Sequence, residues 1–292
     1  MTERRRLVRV PASSANLGPG YDVLAAALSL HLELEVTEAG EFSIDVGGSG
    51  APKTRDNLCV RAFEHLHPAD GLRFEMRSEI PIGAGLGSSA AAIVAGLMAA
   101  EHLYELALDH EELLAMAVDL EGHPDNVAAA LYGGFVICSS DAGVPRATRF
   151  DPPEGVEAVL VIPGERVPTA DARAALPPEI PLDDAVANVA AAAELVLGIQ
   201  RSDLTLIGRG LADRVHQPRR AALYPRSMEL LAEAERLGAL GATISGAGPS
   251  LLVWTYWQST GKVVEALKQK VSDWAEVRRA PFSPLGADVP EL

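Results

Sequence analysis

The sequence predicts an α+β protein of two domains, and three observations predict it. Leu72, Phe74 and Met76 alternate with Arg73, Glu75 and Arg77, the period-2 pattern of a half-buried strand. That strand runs through a glycine turn directly into an apolar helix-periodic segment, so the order is strand, turn, helix. Midway, Asp141, Gly143, Pro145, Pro152, Pro153 and Gly155 gather in one stretch, after which strands and helices begin again. At 292 residues the chain is long for one unit and fits two of roughly 130–160 residues each. The boundary is expected in that stretch, giving units 1–150 and 151–292.

In order along the chain, a short strand is expected over Leu7 to Val10, a polar loop from Pro11 to Asp22, and an apolar run from Val23 to Leu28. The strand Leu72 to Ile80 follows. Ile93, Leu97, Ala100 and Leu103 mark a helix entered through an N-cap serine, Ser88 or Ser89. Its apolar run, Ala90 to Ala100, is far shorter than the ~18–20 residues of a membrane span and reads as a core helix. Asp109 with Glu112 makes a capping box for a second helix, with apolar face Leu113, Ala117 and Leu120, ending at Glu121-Gly122. A third runs from Asp125/Asn126 to Tyr132, stops at Gly133-Gly134, and precedes a strand from Phe135 to Cys138. The second half reads as a strand (Val156 to Ile162), a Thr-capped turn at Thr169, and helices near 184–198, 203–214 and 227–237. It continues with strands Ala242 to Ser245 and Leu251 to Trp257, a helix Lys262 to Val271 and a strand Ala275 to Arg278.

Composition narrows the function. Apolar residues make up 48% and charged residues 22%, the balance of a folded globular chain. The net charge of −15 repels phosphate backbones and anionic bilayers, which argues against nucleic-acid and membrane partners. Cys59 and Cys138 are too few for a disulfide framework or a zinc site and suit a reducing, cytoplasmic compartment. Arg4, Arg5 and Arg6 are followed by Pro11 and serines, with no apolar stretch, so no signal peptide is expected.

The strongest local signal is Pro81-Ile82-Gly83-Ala84-Gly85-Leu86-Gly87-Ser88-Ser89. Three glycines in five residues let backbone N–H groups converge, and the helix that follows adds its positive end, a cradle for phosphate oxygens; the alternative is a plain tight turn. It is neither a Walker A loop, since no Gly-Lys closes it, nor a dinucleotide fingerprint, since its spacing is Gly-x-Gly-x-Gly. Without a loop lysine, a metal ion must meet the phosphate charge, and it needs hard oxygen ligands. Glu121 is the candidate carboxylate, with Ser88 and Ser89 as hydroxyls; the competing reading makes Asp119 and Glu121 a solvated helix end and His123, Asp125 and Asn126 an N-cap turn. Two further glycine-bearing loops stand at strand ends, Pro11 to Asp22 and Gly241 to Ser250; the second could equally be a plain hairpin.

Taken together and in this order, these segments resemble the GHMP kinases over nearly the whole chain: Pro81 to Ala91 (including Ala90) the phosphate loop, Pro11 to Asp22 the N-terminal motif, and Thr243 to Ser250 the C-terminal glycine loop. Ser13-Ser-Ala-Asn-Leu-Gly-Pro-Gly-Tyr-Asp22, Glu121-Gly-His-Pro-Asp-Asn126, Pro168 to Arg173 and His216 to Arg220 are similar to the homoserine kinase branch. Arg219 departs from it, standing where an aromatic residue is expected. The resemblance implies an N-terminal domain like domain 2 of ribosomal protein S5, a ferredoxin-like C-terminal domain, ATP and Mg²⁺ as cofactors, and a homodimer. It implies L-homoserine as substrate, a zwitterion that needs cations for its carboxylate, an anion for its ammonium and a partner for its hydroxyl. Arg173 and Arg220 would hold the carboxylate, with Asn16, Asp22 and Asp125 at the ammonium, Asn126 at the hydroxyl and His123 nearby. Thr169 would lie near the γ-phosphate or the metal, Gly246 and Gly248 beside the nucleotide, and Asn57 at adenine. From the residues alone, Arg173 and Arg220 could be surface ion pairs and Asn57 a helix N-cap. Another small-molecule kinase of the family, mevalonate- or shikimate-type, or a non-catalytic metabolite sensor are the competing functions. Mevalonate-type chains usually carry a lysine in the first motif, and Pro11 to Asp22 has none.

Overall fold

The computed structural model describes residues 4–290, so residues 1–3 and 291–292 of the two expected units lie outside the described residues. Strands β1 (Arg5–Ala15) and β2 (Leu24–Glu38) form an antiparallel pair that shifts register between Pro11 and Ala12. The far edge of β2 takes two partners in succession. Residues 32–38 pair with β4 (Leu72–Ser78), which is flanked by β3 (Ser43–Asp45), and residues 24–26 pair with β5 (Phe135–Asp141), flanked by β6 (Val144–Phe150). On β4 the alternation behaves as read: Leu72, Phe74 and Met76 are buried, Arg73 and Arg77 exposed.

Helices α2 (Ser88–Tyr104) and α4 (Pro124–Tyr132) pack on this sheet, with α1 (Leu58–Glu64) and α3 (His110–Glu121) packed against α2. Every residue from Ala90 to Ala100 is buried, which is why α2 is apolar all round. The capping box on α3 forms as expected, Asp109 accepting from the Glu112 amide and Glu112 from the Asp109 amide, each at 2.9 Å. Gly122 ends that helix with φ 90°.

The second half carries β7 (Val156–Pro163), α5 (Thr169–Ala174), α6 (Leu182–Arg201), α7 (Leu204–Gly210) and α8 (Pro225–Glu233). It ends with β8 (Gly241–Ile244), β9 (Leu251–Tyr256), α9 (Thr260–Val271) and β10 (Ala275–Arg279). Its antiparallel sheet runs β10-β7-β9-β8. One face buries Val159, Val161, Leu251 and Val253 under α8 and α9; the other sends Ala158, Leu160, Leu252 and Trp254 into the core of the first half. Trp254 lies 5.0 Å from Phe282 and 5.8 Å from Phe135, centroid to centroid, so the two halves share one apolar seam.

Five local readings are corrected. β1 continues to Ala15, so Ser13 and Ser14 are buried strand residues and the polar loop begins at Asn16. Val144–Phe150, expected as linker, is β6; Pro145 is tolerated because β6 is an edge strand. The α2 cap is Gly87 at φ 70° with no side-chain bond, and α5 is capped by Pro168, so Ser88 and Thr169 are first helical residues. α7 stops at Gly210 because Asp213 instead accepts from the amides of Val215, His216 and Gln217.

A Cβ on Gly96 would stand 2.2 Å from the Cys59 carbonyl oxygen, where α1 crosses α2. Gly96→Ala should therefore lower stability by about 1–3 kcal/mol, read as a fall in Tm, because neither backbone can yield. An unchanged Tm would show that the crossing is slack.

Candidate active site

The phosphate-loop glycines are conformational requirements. Gly83, Gly85 and Gly87 have φ of 71°, 78° and 70°, a region L side chains rarely adopt. A Cβ on Gly87 would meet Ser13 Oγ at 2.1 Å, and one on Gly85 the Ser245 carbonyl oxygen at 2.4 Å. The loop thus lies flat between β1 and the β8–β9 turn, and delivers the N-terminus of a buried 17-residue helix, free of any side-chain cap, to a cavity of about 230 Å³. Its unpaired amides and the positive end of the helix dipole face that space.

Across the cavity stand the residues that join α3 to α4. Glu121, the last residue of α3, accepts a hydrogen bond from Ser89 Oγ at 2.6 Å. Burial pushes its carboxyl above the usual range, and the Ser89 hydroxyl and His123 offset part of that shift. His123 Nδ1 lies 3.0 Å from Asp125 Oδ1, and that bond above all raises the imidazole's affinity for a proton, with Glu121 adding to it. Asp125 is buried, and its Oδ1 also accepts from the Asn126 amide at 2.7 Å. Asn126 Oδ1 accepts from Ser13 Oγ at 2.9 Å, which directs its amide nitrogen elsewhere.

The third wall comes from the N-terminal loop and the second half. Asn16 (φ 71°) holds that loop: its amide donates to the Gly246 carbonyl at 2.8 Å and its oxygen accepts from the Asp22 amide at 3.0 Å. Arg173, on α5, makes a two-pronged ion pair with Asp22 at 2.9 and 3.0 Å and donates to Tyr21 Oη at 3.0 Å. Arg220 is 2% exposed and has no carboxylate partner among the described residues. It donates to the carbonyls of Ala172 (2.8 Å) and Gly246 (3.3 Å) and to His216 Nδ1 (3.3 Å), and lies over the Tyr21 ring. For the His216 nitrogen to accept, the ring must be neutral. Its Nε2 faces the Gly18 carbonyl at 2.8 Å and Asp213 at 3.6 Å, and burial, together with Arg220, holds its pKa below the ordinary histidine value.

Asn16, Asp22, Glu121, His123, Asp125, Asn126, Thr169, Arg173, Arg220, Gly246, Ser88, Ser89 and loop residues Ile82, Gly83, Gly85, Leu86 and Gly87 all line this one cavity. Asn57 lines a second, of about 200 Å³, that shares Ile82, Ser88 and Ser89 with the first and has apolar walls at Leu32, Leu58, Met76 and Ala92. Its side chain caps α1, accepting from the Cys59 amide and donating to the Pro52 carbonyl, both at 2.9 Å. Pro81, Ala84, Ala90, Ala91 and Gly248 line neither cavity: Ala84, Ala90 and Ala91 are buried, and Gly248 packs between the Tyr224 ring and Gly85. Sequence reasoning assigned no role to Ser13, Tyr21, Asp213 or His216. Tyr21 and His216 stood inside quoted segments, but nothing in their spacing says that they pack against an arginine.

His216 carries a pH signature. Its folded pKa lies below its unfolded value, so its contribution to stability is complete above about pH 6.5 and is lost as pH falls from there toward the folded pKa, where the unfolded chain binds the extra proton. Tm should decline across that window, and His216→Gln should flatten the decline; identical pH slopes would show that the ring is protonated in place.

Comparison with known proteins agrees with this geometry. Residues 57–134 match the GHMP kinases N terminal domain, and residues 193–275 the GHMP kinases C terminal domain. A homoserine kinase of Moorella thermoacetica is 39% identical over 256 residues, 85% of this chain and 86% of that protein. One of Thermus thermophilus is 42% identical over 263 residues, covering 88% and 89%. The crystal structure of homoserine kinase from Cytophaga hutchinsonii superposes with a TM-score of 0.88 at 31% identity, covering 99% of this chain and 98% of that one. The glycine loops, the two-half architecture and these likenesses together place the chain in the GHMP kinase family, among its homoserine kinases.

Proposed function

We infer that this enzyme transfers the γ-phosphoryl group of ATP to the hydroxyl of L-homoserine, giving O-phospho-L-homoserine and ADP, a step toward threonine. The observation that carries the substrate reading is Arg220, a buried guanidinium with no carboxylate partner among the described residues, opening on the cavity that also receives the phosphate loop. Leaving a buried charge uncompensated costs several kcal/mol, so the site is built for an anion. Beside it, Arg173 and Asp22 pair with each other. A zwitterionic amino acid can enter such a pair without orphaning either partner, its carboxylate meeting Arg173 and Arg220 and its ammonium meeting Asp22 and Asp125.

The amide nitrogen of Asn126 then takes the substrate hydroxyl, since its oxygen is held by Ser13. The triphosphate lies along Gly83 to Ser89, with Gly246 beside it and Thr169 near the γ-phosphate, and the base occupies the apolar second cavity near Asn57. Among the described residues no three His, Cys, Asp or Glu side chains converge as a metal cage. One carboxylate beside two serine hydroxyls at the loop suits Mg²⁺, which binds through one or two protein oxygens plus substrate phosphates, and Glu121, Ser88 and Ser89 would hold it. When bound, the ion supplies charge neutralisation on the phosphates. We divide the chain at 150/151, supported by the sheet that closes with β6 and the one that opens with β7. We place the enzyme in the cytoplasm, supported by its two cysteines, both free and buried.

An ADP-release assay with L-homoserine, mevalonate, shikimate and galactose side by side should show turnover with homoserine; turnover with mevalonate alone would overturn the assignment. Arg220→Met should raise KM for homoserine by roughly 10- to 100-fold, the loss of about 1.5–3 kcal/mol of charged hydrogen bonding, and leave KM for ATP within about twofold. Equal damage to both constants would remove Arg220 from the substrate site. Glu121→Gln should lose most activity at ordinary Mg²⁺ and recover in part at higher concentration, because an amide is a weaker ligand for a hard cation. An unshifted Mg²⁺ dependence would take Glu121 out of the metal shell.

A further inference from the structure

We propose that Arg166 is a further catalytic residue whose guanidinium reaches the γ-phosphate of the bound nucleotide, an inference that rests on the kinase reading above. The side chain stands beside the phosphate loop. A Cβ on Gly83 would meet Arg166 Cδ at 3.3 Å, Cγ at 3.7 Å and Cβ at 3.8 Å, so the hydrocarbon stem lies along the bare backbone of Gly83 and the guanidinium begins one bond further on. Gly83 itself lines the first cavity. Arg166 is exposed, and its guanidinium has neither an ion-pair nor a hydrogen-bond partner among the described residues. The backbone that carries it is anchored on both sides. Before it, the Gly164 amide donates to the Trp274 carbonyl at 3.1 Å; after it, Val167 packs against the core of the second half and Pro168 caps α5. The adjacent acid, Glu165, lines a different cavity together with Trp274. Thr169, three residues beyond Arg166, lines the first cavity, so Arg166 links the glycine loop to the start of α5.

Charge assigns the guanidinium its task. Residues 81–91 hold no lysine or arginine. The cations that line either cavity are Arg173, Arg220 and, when protonated, His123, and all three belong to the first cavity. In the reading above the two arginines serve the substrate carboxylate, and His123 faces Asp125 and Glu121. A triphosphate carries roughly four negative charges at neutral pH, of which one Mg²⁺ neutralises about two and a helix end about half of one. More than one charge is left unmet, in a chain whose own net charge of −15 repels the nucleotide. Arg166 is the cation that touches the loop from outside the cavity walls and is free to meet it. The demand rises during the reaction. As the bond from the γ-phosphorus to the homoserine oxygen forms and its bond to the bridging oxygen breaks, negative charge grows on the ADP oxygen that leaves, and the hydroxyl proton passes to a phosphate oxygen. A guanidinium on the γ-phosphate beside that bridging oxygen stabilises the growing charge.

Arg166→Met keeps a stem over Gly83 and removes the charge, and because the side chain is exposed its Tm should match that of the native chain. Calorimetric titration of both chains with Mg²⁺ and either ADP or a non-hydrolysable ATP analogue reads the contact without the second substrate. The variant should bind the ATP analogue at least about fivefold more weakly and ADP within about twofold of the native chain, since ADP lacks the phosphate in question. In the ADP-release assay with homoserine, kcat should fall at least about tenfold while KM for homoserine stays within about twofold. Arg166→Lys, which restores a point charge, should recover part of both losses. A loss for the ATP analogue smaller than fivefold, an equal loss for ADP, or a kcat reduced less than tenfold would each overturn the proposal. Should the native chain leave homoserine unphosphorylated, the substrate reading falls, and the two titrations still decide the role of Arg166.

Discussion

The end of β1 and two glycine loops distant from it in sequence touch backbone to backbone, and the geometry of the site depends on that contact. The Leu86 carbonyl accepts from the Ser13 amide at 3.2 Å, the Ala15 carbonyl from the Gly246 amide at 3.1 Å, and Ser245 Oγ bonds both Gly85 and Ser14, at 2.6 and 2.8 Å. Glycine at 85 and 87 permits this approach, and the shared core at Phe135, Trp254 and Phe282 keeps the two halves in register so that it persists. The contact also supports strain. Asn16, Leu17 and Asp22 all have positive φ, a conformation that costs of order 1–3 kcal/mol per residue, and the two side-chain bonds of Asn16 oppose its relaxation. Strain collected in one loop that lines the cavity indicates that the loop is shaped for what it binds.

Arg220 depends on the same seam. A guanidinium this buried needs acceptors, and it finds two carbonyls and a neutral imidazole in place of a carboxylate. Dipoles of that kind satisfy its N–H groups without cancelling its charge, which stays available to an anion in the cavity. Asp213 is the deeper support: its carboxylate is fully buried, gathers three backbone amides and Asn188, and holds the turn from which His216 and Arg220 project. A negative charge is thus spent on backbone one step behind the arginine and kept off the arginine itself.

What the sequence disclosed follows from which forces are local. The alternation on β4, the capping box on α3 and the all-apolar α2 are decided by neighbours within a few residues, and each is legible. Clustering of the loops was legible only through their joint order, since no single loop specifies a ligand. β6 was missed because an edge strand can carry the Pro and Gly content of a linker, and β1 was cut short because the serines at 13 and 14 look solvated until β2 covers them. The Arg173–Asp22 pair and the burial that keeps His216 neutral depend on segments some 150 to 200 positions away, so no window along the chain contains them.

Whether a general base exists follows from the same arrangement. Phosphoryl transfer has a loose transition state in most analyses, so the nucleophile needs position more than early deprotonation. Where a base is used, an aspartate is tuned by a nearby cation; here β1 offers Ser13 in that direction, and its hydroxyl is committed to Asn126. Asp125 is held in place by its Oδ1, which meets both His123 Nδ1 and the Asn126 amide. Under the proposed function, a buried carboxylate that lines the same cavity as Arg173 and Arg220 suits the substrate's ammonium, and Asn126, anchored by its oxygen, suits the hydroxyl oxygen. On this reading the proton leaves with or after the transfer, to a phosphate oxygen, and the chain's contribution to rate is the orientation that Ser13 and the glycine loop impose on Asn126.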